Sequence, residues 1–140
     1  MTPEQPASLD PVDLTRRAFA YADARDIDSL MRFISPESVW DATAWGFGRY
    51  VGRRAIRRFL EDWTGSFDEF GRDAEELVDL GNGVVYAVTE TRGRSAGATG
   101  VVRLRGATVC VWRGAEAMLV TYHRDLEEAR AAAERLAKGG

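Results

Sequence analysis

Thiols and imidazoles are almost absent from this chain, which holds one cysteine, Cys110, and one histidine, His123, in 140 residues. A lone cysteine closes no disulfide, and one thiol with one imidazole cannot assemble a zinc or iron–sulfur centre. Carboxylates remain as ligands for a hard cation, but they show no regular spacing, so no metal and no cofactor is expected. A basic excess is lacking too. The 19 Lys and Arg residues face 22 Asp and Glu, a net charge of −3, which argues against a nucleic-acid binder. No apolar run approaches the ~20 residues of a membrane span. Residues 1–9 are polar with two prolines, Pro3 and Pro6, and read as a disordered lead with neither signal peptide nor anchor. No membrane contact is expected, and the absence of a disulfide framework suits a reducing, cytoplasmic setting. Lysine is nearly missing as well, Lys138 being the only one. That reads as a coding bias without mechanistic weight.

What is present suffices for one domain over residues 10–138, able to bury roughly two-thirds of the surface its unfolded chain exposes. Asp10 followed by Pro11 is an N-cap with a first-turn proline and predicts a helix to about Ala24. On it Leu14, Ala18, Phe19 and Ala22 share a stripe. Two of those four are alanines, so this face either packs closely or leaves room. Ile27, Leu30, Met31 and Ile34 repeat at helical spacing in a second, shorter helix that Pro36 ends. A third helix starts at Gly52, with Ile56, Phe59, Leu60, Trp63 and Phe67 as its apolar face. Its four arginines alternate around that face and are followed by Glu61 and Asp62, the pattern of a solvated surface with i,i+4 pairs.

The period then changes to two. Glu76–Leu80 reads as a short strand, Asn82-Gly83 as a hairpin turn, and Val84–Thr91 as the returning strand. A strand from Val101 to Trp112, a turn at Gly114 and a strand from Ala117 to His123 complete a four-stranded meander. Asp125-Leu126-Glu127-Glu128 caps a last helix. With one further short strand between the second and third helices, the class is α+β: a curved antiparallel sheet wrapped around N-terminal helices, closed by a C-terminal helix. A pocket is expected on the concave side.

The stretch Ser38 to Gly48 runs from a strand into a loop with Asp41, two aromatics and two glycines. Asp41 is the candidate general base: against Trp40, Trp45 and Phe47, desolvation would raise its pKa. The alternative is that Asp41 stays solvated or caps a local turn through its own side chain. Tyr21, Tyr86, Thr108, Cys110 and Tyr122 are further candidate pocket groups, with Ala18 and Phe59 in the wall. Trp63 reads more readily as core. His123 alternates with Tyr122 and so points away from a pocket that Tyr122 faces.

Four segments together resemble the nuclear transport factor 2-like (NTF2-like) superfamily, and within it the bacterial SnoaL-like group: Ala24-Arg25-Asp26-Ile27-Asp28-Ser29-Leu30, Val39-Trp40-Asp41, Tyr50-Val51-Gly52-Arg53-Arg54-Ala55-Ile56 and Thr121-Tyr122-His123-Arg124-Asp125. The resemblance implies a conical cavity, a homodimer and an apolar small-molecule ligand or substrate. Apolar residues on both faces of Val101–Trp112 also suggest a dimer through the outer face of the sheet. The resemblance places Asp41 at the base position of the superfamily's steroid isomerases. It leaves their two oxyanion donors unmatched, at Ala18 and near Thr108 or Val109. The histidine of the cyclase-like relatives would fall at about Thr108, and the last aspartate of the epoxide hydrolase relay at about Tyr122. Two functions follow: a cofactor-independent isomerase, cyclase or hydrolase with Asp41 as base, or a non-catalytic ligand-binding or dimerisation module.

Overall fold

Three helical segments, two short strands and a helix lead into a long twisted meander in the computed structural model, which describes residues 10–95, 97 and 99–139. The disordered lead expected over residues 1–9 lies outside that range. Helix α1 (Pro11–Asp23) starts where Asp10 accepts a hydrogen bond from the Val12 amide at 2.8 Å. Helix α2 (Ile27–Leu30) is a single turn continued by a 3-10 turn at Met31–Phe33. Arg53 donates to the carbonyls of Met31 and Ile34 and so satisfies the end of that turn. Strands β1 (Val39–Asp41) and β2 (Arg49–Val51) flank a second 3-10 turn at Thr43–Trp45. Helix α3 (Arg53–Gly65) buries Ile56, Phe59 and Leu60, and Arg57 bridges Asp28 and Glu61 on its solvent side.

The sheet departs from the expected four-stranded meander in three ways. It has six strands in the order β2-β1-β6-β5-β4-β3, and β1 runs parallel to β6, so the sheet is mixed. Strand β2 pairs with β1 through Trp40 and Tyr50, where no alternation in the sequence announced a strand. Strand β3 (Phe67–Gly81) begins directly after α3, well before Glu76. Phe67 therefore belongs to that strand and meets Trp63 ring to ring at 5.1 Å. Strands β4 (Val84–Ser95), β5 (Val102–Arg113) and β6 (Glu116–His123) follow. The extended end of the hairpin is laced by cross-strand pairs, Arg92 with Asp73 and Arg103 with Glu90, which polar patterning alone does not reveal.

Strand parity divides the apolar residues between two faces. The concave face carries Val85, Cys110, Trp112 and Val120 against Leu14, Leu30, Ile34, Ile56 and Leu60 of the helices. The convex face carries Val84, Tyr86, Val88, Ala107 and Val109. Helix α4 (Leu126–Gly139) covers that face with its fully buried Ala129 and Ala133, whose small side chains let it lie close. The apolar outer residues of β5 that suggested a dimer are thus covered within the chain. At the start of β5, Val102 and Leu104 stay exposed, but on the side of Gly106 and Thr108.

Candidate functional site

The cone interior holds two small cavities of about 30 Å³ each, enough for roughly one or two waters apiece. Trp63, Arg72, Thr108 and Tyr122 line both. The outer cavity adds Trp45, Phe47, Phe59, Thr89 and Thr91. The deeper one reaches Ala18, Ala22, Trp40, Cys110 and Trp112. The alanines of α1 leave room here rather than packing closed. Outside Trp45 and Phe47 lies an open depression of about 370 Å³ that shares Trp63 and Thr91 with the outer cavity and adds Phe67, Leu104 and Arg124. The two aromatics stand between this mouth and the interior.

Each is seated by neighbours that the sequence keeps small or aromatic. Trp45 packs edge-on to Tyr122 at 6.3 Å and lies over Gly106, where a Cβ would come within 2.8 Å of its ring. Phe47 packs edge-on to Trp63 at 5.2 Å and to Phe59 at 5.6 Å, yet remains 41% exposed. Between them Gly46 takes a left-handed φ of +86° that ends the 3-10 turn.

The polar groups inside are two pure donors, Arg72 and Trp45 Nε1, and the hydroxyls of Thr89, Thr91, Thr108 and Tyr122, which can donate or accept. Trp40 Nε1 donates to the Tyr122 hydroxyl at 2.9 Å, which leaves the phenol's own proton to point elsewhere. Burial pushes the Tyr122 pKa up, so the phenol stays protonated at neutral pH. Trp45 Nε1 is buried without a hydrogen-bond partner. Arg72, on β3, lies over the Phe19 ring at 4.6 Å. Beside it, burial raises the pKa of Asp23, although the Arg72 charge and a hydrogen bond from the Arg72 backbone act the other way. The Cys110 thiol is pushed up to about 12 by burial and is no nucleophile at neutral pH.

Of the residues expected in the pocket, Ala18, Trp40, Trp45, Phe47, Phe59, Trp63, Thr108, Cys110 and Tyr122 line one cavity or both. Tyr21 instead packs on Phe33 with ring centroids 6.0 Å apart. Tyr86 is a correction. It pairs in register with Val109, one residue out of phase with Thr108, and so projects from the convex face, where its hydroxyl donates to the Leu126 carbonyl at 3.2 Å. Arg72, Thr89 and Thr91 were missed. Counting by two from the Asn82-Gly83 turn would have found the threonines once Tyr86 was assigned outward.

The expected electrostatics of Asp41 are also corrected. Trp40 points inward, so Asp41 falls on the other side of β1, in register with Thr121. Its Oδ1 accepts from the Thr43 amide at 3.0 Å and the Thr43 hydroxyl at 2.7 Å. These bonds hold its pKa below the usual carboxylate range, where desolvation had been expected to raise it. Asp41 is not among the residues lining either cavity.

His123 shares that outer side and bonds Thr121 Oγ1 at 2.8 Å. Burial lowers its pKa, with the charges of Glu128 and Asp41 opposing less strongly. A histidine whose folded pKa lies below its unfolded value binds more protons when unfolded, so its stabilising share is complete above the unfolded pKa near 6.5 and is lost as pH falls. Wild type is therefore expected to lose more stability than His123→Gln between pH 7.5 and 5.5 in urea titrations. Equal losses would show that the imidazole is solvated.

Among the described residues no cluster of three or more His, Cys, Asp or Glu could hold a metal ion, and no helix is long and apolar enough to cross a membrane. The fold is shared widely. A SnoaL-like protein from Shewanella putrefaciens superposes with a TM-score of 0.71 at 13% identity, over 95% of this chain and 99% of that one. A protein of ketosteroid isomerase-like fold from Catenulispora acidiphila, solved in complex with trimethylamine, gives 0.72 at 15% identity, over 95% and 94% of the two chains. TerC, co-crystallised with polyporic acid, gives 0.70 at 17%, over 91% and 99%. No curated protein matches the chain by sequence. The sequence profile of the SnoaL-like domain matches residues 15–123, and with this cone of helices under a curved sheet the chain belongs to the SnoaL-like domain family, on the NTF2-like fold.

Proposed function

We propose that this protein binds a small, largely apolar molecule inside its cone, with Phe47 as the movable wall on the side of the mouth. The observation that carries this reading is the division of one interior into two voids by the same four side chains, Trp63, Arg72, Thr108 and Tyr122. Voids of this size are incompletely filled space, and a ligand that swings the exposed Phe47 ring aside joins the outer one to the mouth. Two structural relatives, one in complex with trimethylamine and one co-crystallised with polyporic acid, are in keeping with it. Asp41 has a structural part here, that of a side chain closing the turn at Thr43.

The test is a fragment screen by thermal shift and ligand-observed NMR on wild type, Thr108→Leu and Asp41→Asn. Thr108 lines both voids, so leucine there fills them. Hits are expected to bind wild type and Asp41→Asn alike and to be lost in Thr108→Leu. Hits that survive in Thr108→Leu would place the ligand elsewhere, for instance in the surface groove of about 650 Å³ lined by Tyr50, Val51, Arg54 and Arg58. Turnover lost in Asp41→Asn with binding retained would restore Asp41 as a base and overturn its structural assignment.

A further inference from the structure

Aromatic walls with a polar handle suit two opposite kinds of ligand. Rings alone favour a cation, through the negative faces of their π systems. The charged groups decide between the two. Among the described residues, the one charged side chain lining either cavity is Arg72, and no carboxylate lines them. The depression outside adds Arg105 and Arg124, again without a carboxylate, although Arg105 is bridged to Glu75 at 2.9 Å.

The neutral groups point the same way. Trp45 Nε1 is a donor only, is buried, and has no partner. Tyr122 already accepts from Trp40, so the proton it still holds is the part it can offer a ligand. Thr108 pairs directly across from Tyr122 and adds a hydroxyl beside it. An acceptor oxygen placed among these groups would relieve the orphaned indole N–H, which otherwise costs stability. An ammonium placed there would meet the like charge of Arg72 and leave the indole N–H unrelieved.

We infer that the cone is built for a planar, conjugated organic anion, whose carboxylate or enolate oxygen sits among Arg72, Tyr122 and Trp45 Nε1 while its rings lie against Trp63 and Phe59. Arg72 keeps its stack on Phe19 and its neighbour Asp23 and presents its charge to the cavity that it lines. Arg124 at the mouth lies on the anion's path inward. This rests on the proposed binding of a small molecule in the cone and names its chemical class.

The test pairs an anion with a neutral molecule of the same shape: 2-naphthoate and 2-naphthalenemethanol, titrated calorimetrically into wild type, Arg72→Met and Trp45→Phe. Wild type is expected to bind naphthoate at least tenfold more tightly than the alcohol. Arg72→Met should abolish that preference while leaving the alcohol's affinity within twofold. Trp45→Phe keeps a ring but loses the indole donor, and should weaken naphthoate severalfold and the alcohol little. Thermal unfolding of both variants checks that they fold, and if Arg72→Met does not, the preference is read in Trp45→Phe alone. Equal affinity of wild type for both probes, or a preference undiminished in the folded variants, overturns the anion assignment but leaves small-molecule binding standing. Failure of both probes to bind wild type, with no hit in the fragment screen, removes both.

Discussion

Tyr122→Phe is expected to destabilise the protein by about 2 kcal/mol, although it removes one oxygen atom. The hydroxyl is the acceptor for Trp40 Nε1 at 2.9 Å, and Trp40 is 7% exposed. Without the hydroxyl, the indole N–H faces a small void lined largely by apolar side chains, where a replacement water would find few other partners. Leaving a buried donor unsatisfied costs roughly 1–3 kcal/mol, while the lost bond itself contributes about 1. Urea unfolding should show the midpoint falling with the slope unchanged. A double-mutant cycle with Trp40→Phe isolates the pair, because in that background the phenol has no indole to serve. A coupling of at least about 1 kcal/mol is expected. Near-zero coupling would mean that the indole finds another acceptor when the cavity rearranges, and would remove the reason for regarding the Tyr122 proton as free to face a ligand.

Gly83→Ala should be costlier still, at roughly 3 kcal/mol, and it acts through the backbone of Trp112. Gly83 ends the tight turn between β3 and β4 with φ +78°, after Asn82 at +54°. Its carbonyl accepts from the Trp112 amide at 2.8 Å. A Cβ there would lie 2.1 Å from the Trp112 carbonyl oxygen, on backbone that cannot swing aside. The left-handed conformation alone costs a non-glycine residue about 1–2 kcal/mol, and the steric overlap adds a similar amount. Gly81→Ala provides the control, because Gly81 has φ +92° but nothing within 4 Å of its Cβ position. It should cost only the conformational share. Equal losses at the two positions would show that β5 yields at Trp112 and that the clash contributes nothing.

How much of this was legible depends on which forces act locally. The Asp10-Pro11 start of α1, the Asn82-Gly83 turn and the cap at Asp125, whose Oδ1 accepts from the amides of Glu127 and Glu128 at 2.9 and 3.0 Å, are written in neighbouring residues. They were readable because capping and turn conformations act over two to four positions. The opposite facing of Tyr122 and His123 followed from alternation alone. Strand β2 was not readable. Arg49-Tyr50-Val51 has no hydrophobic pattern of its own and is a strand because β1 offers it a free edge. The first half of β3 was hidden for the same reason: Asp68 to Ala74 alternates poorly, and cross-strand partners on β4 hold it extended.

The candidate site divides along the same line. That Tyr122 and Thr108 would share a face could be read from strand parity, whereas Trp63, on α3, read more readily as core. Tyr86 was misplaced because parity is relative: alternation says which residues share a face, and only register against β5 says which face is concave. Asp41 shows the same limit, since the sequence put a carboxylate at a strand end and the parallel pairing with Thr121 turned it outward. Arg72 lies 50 residues before Tyr122 in the chain, and nothing around it marks it as an interior cation. By itself the sequence determined the elements that short-range conformational energies specify, and with them the class of the domain. The tertiary structure decided which side chains meet inside the cone, because register and curvature are set by long-range packing that no local stretch of residues encodes.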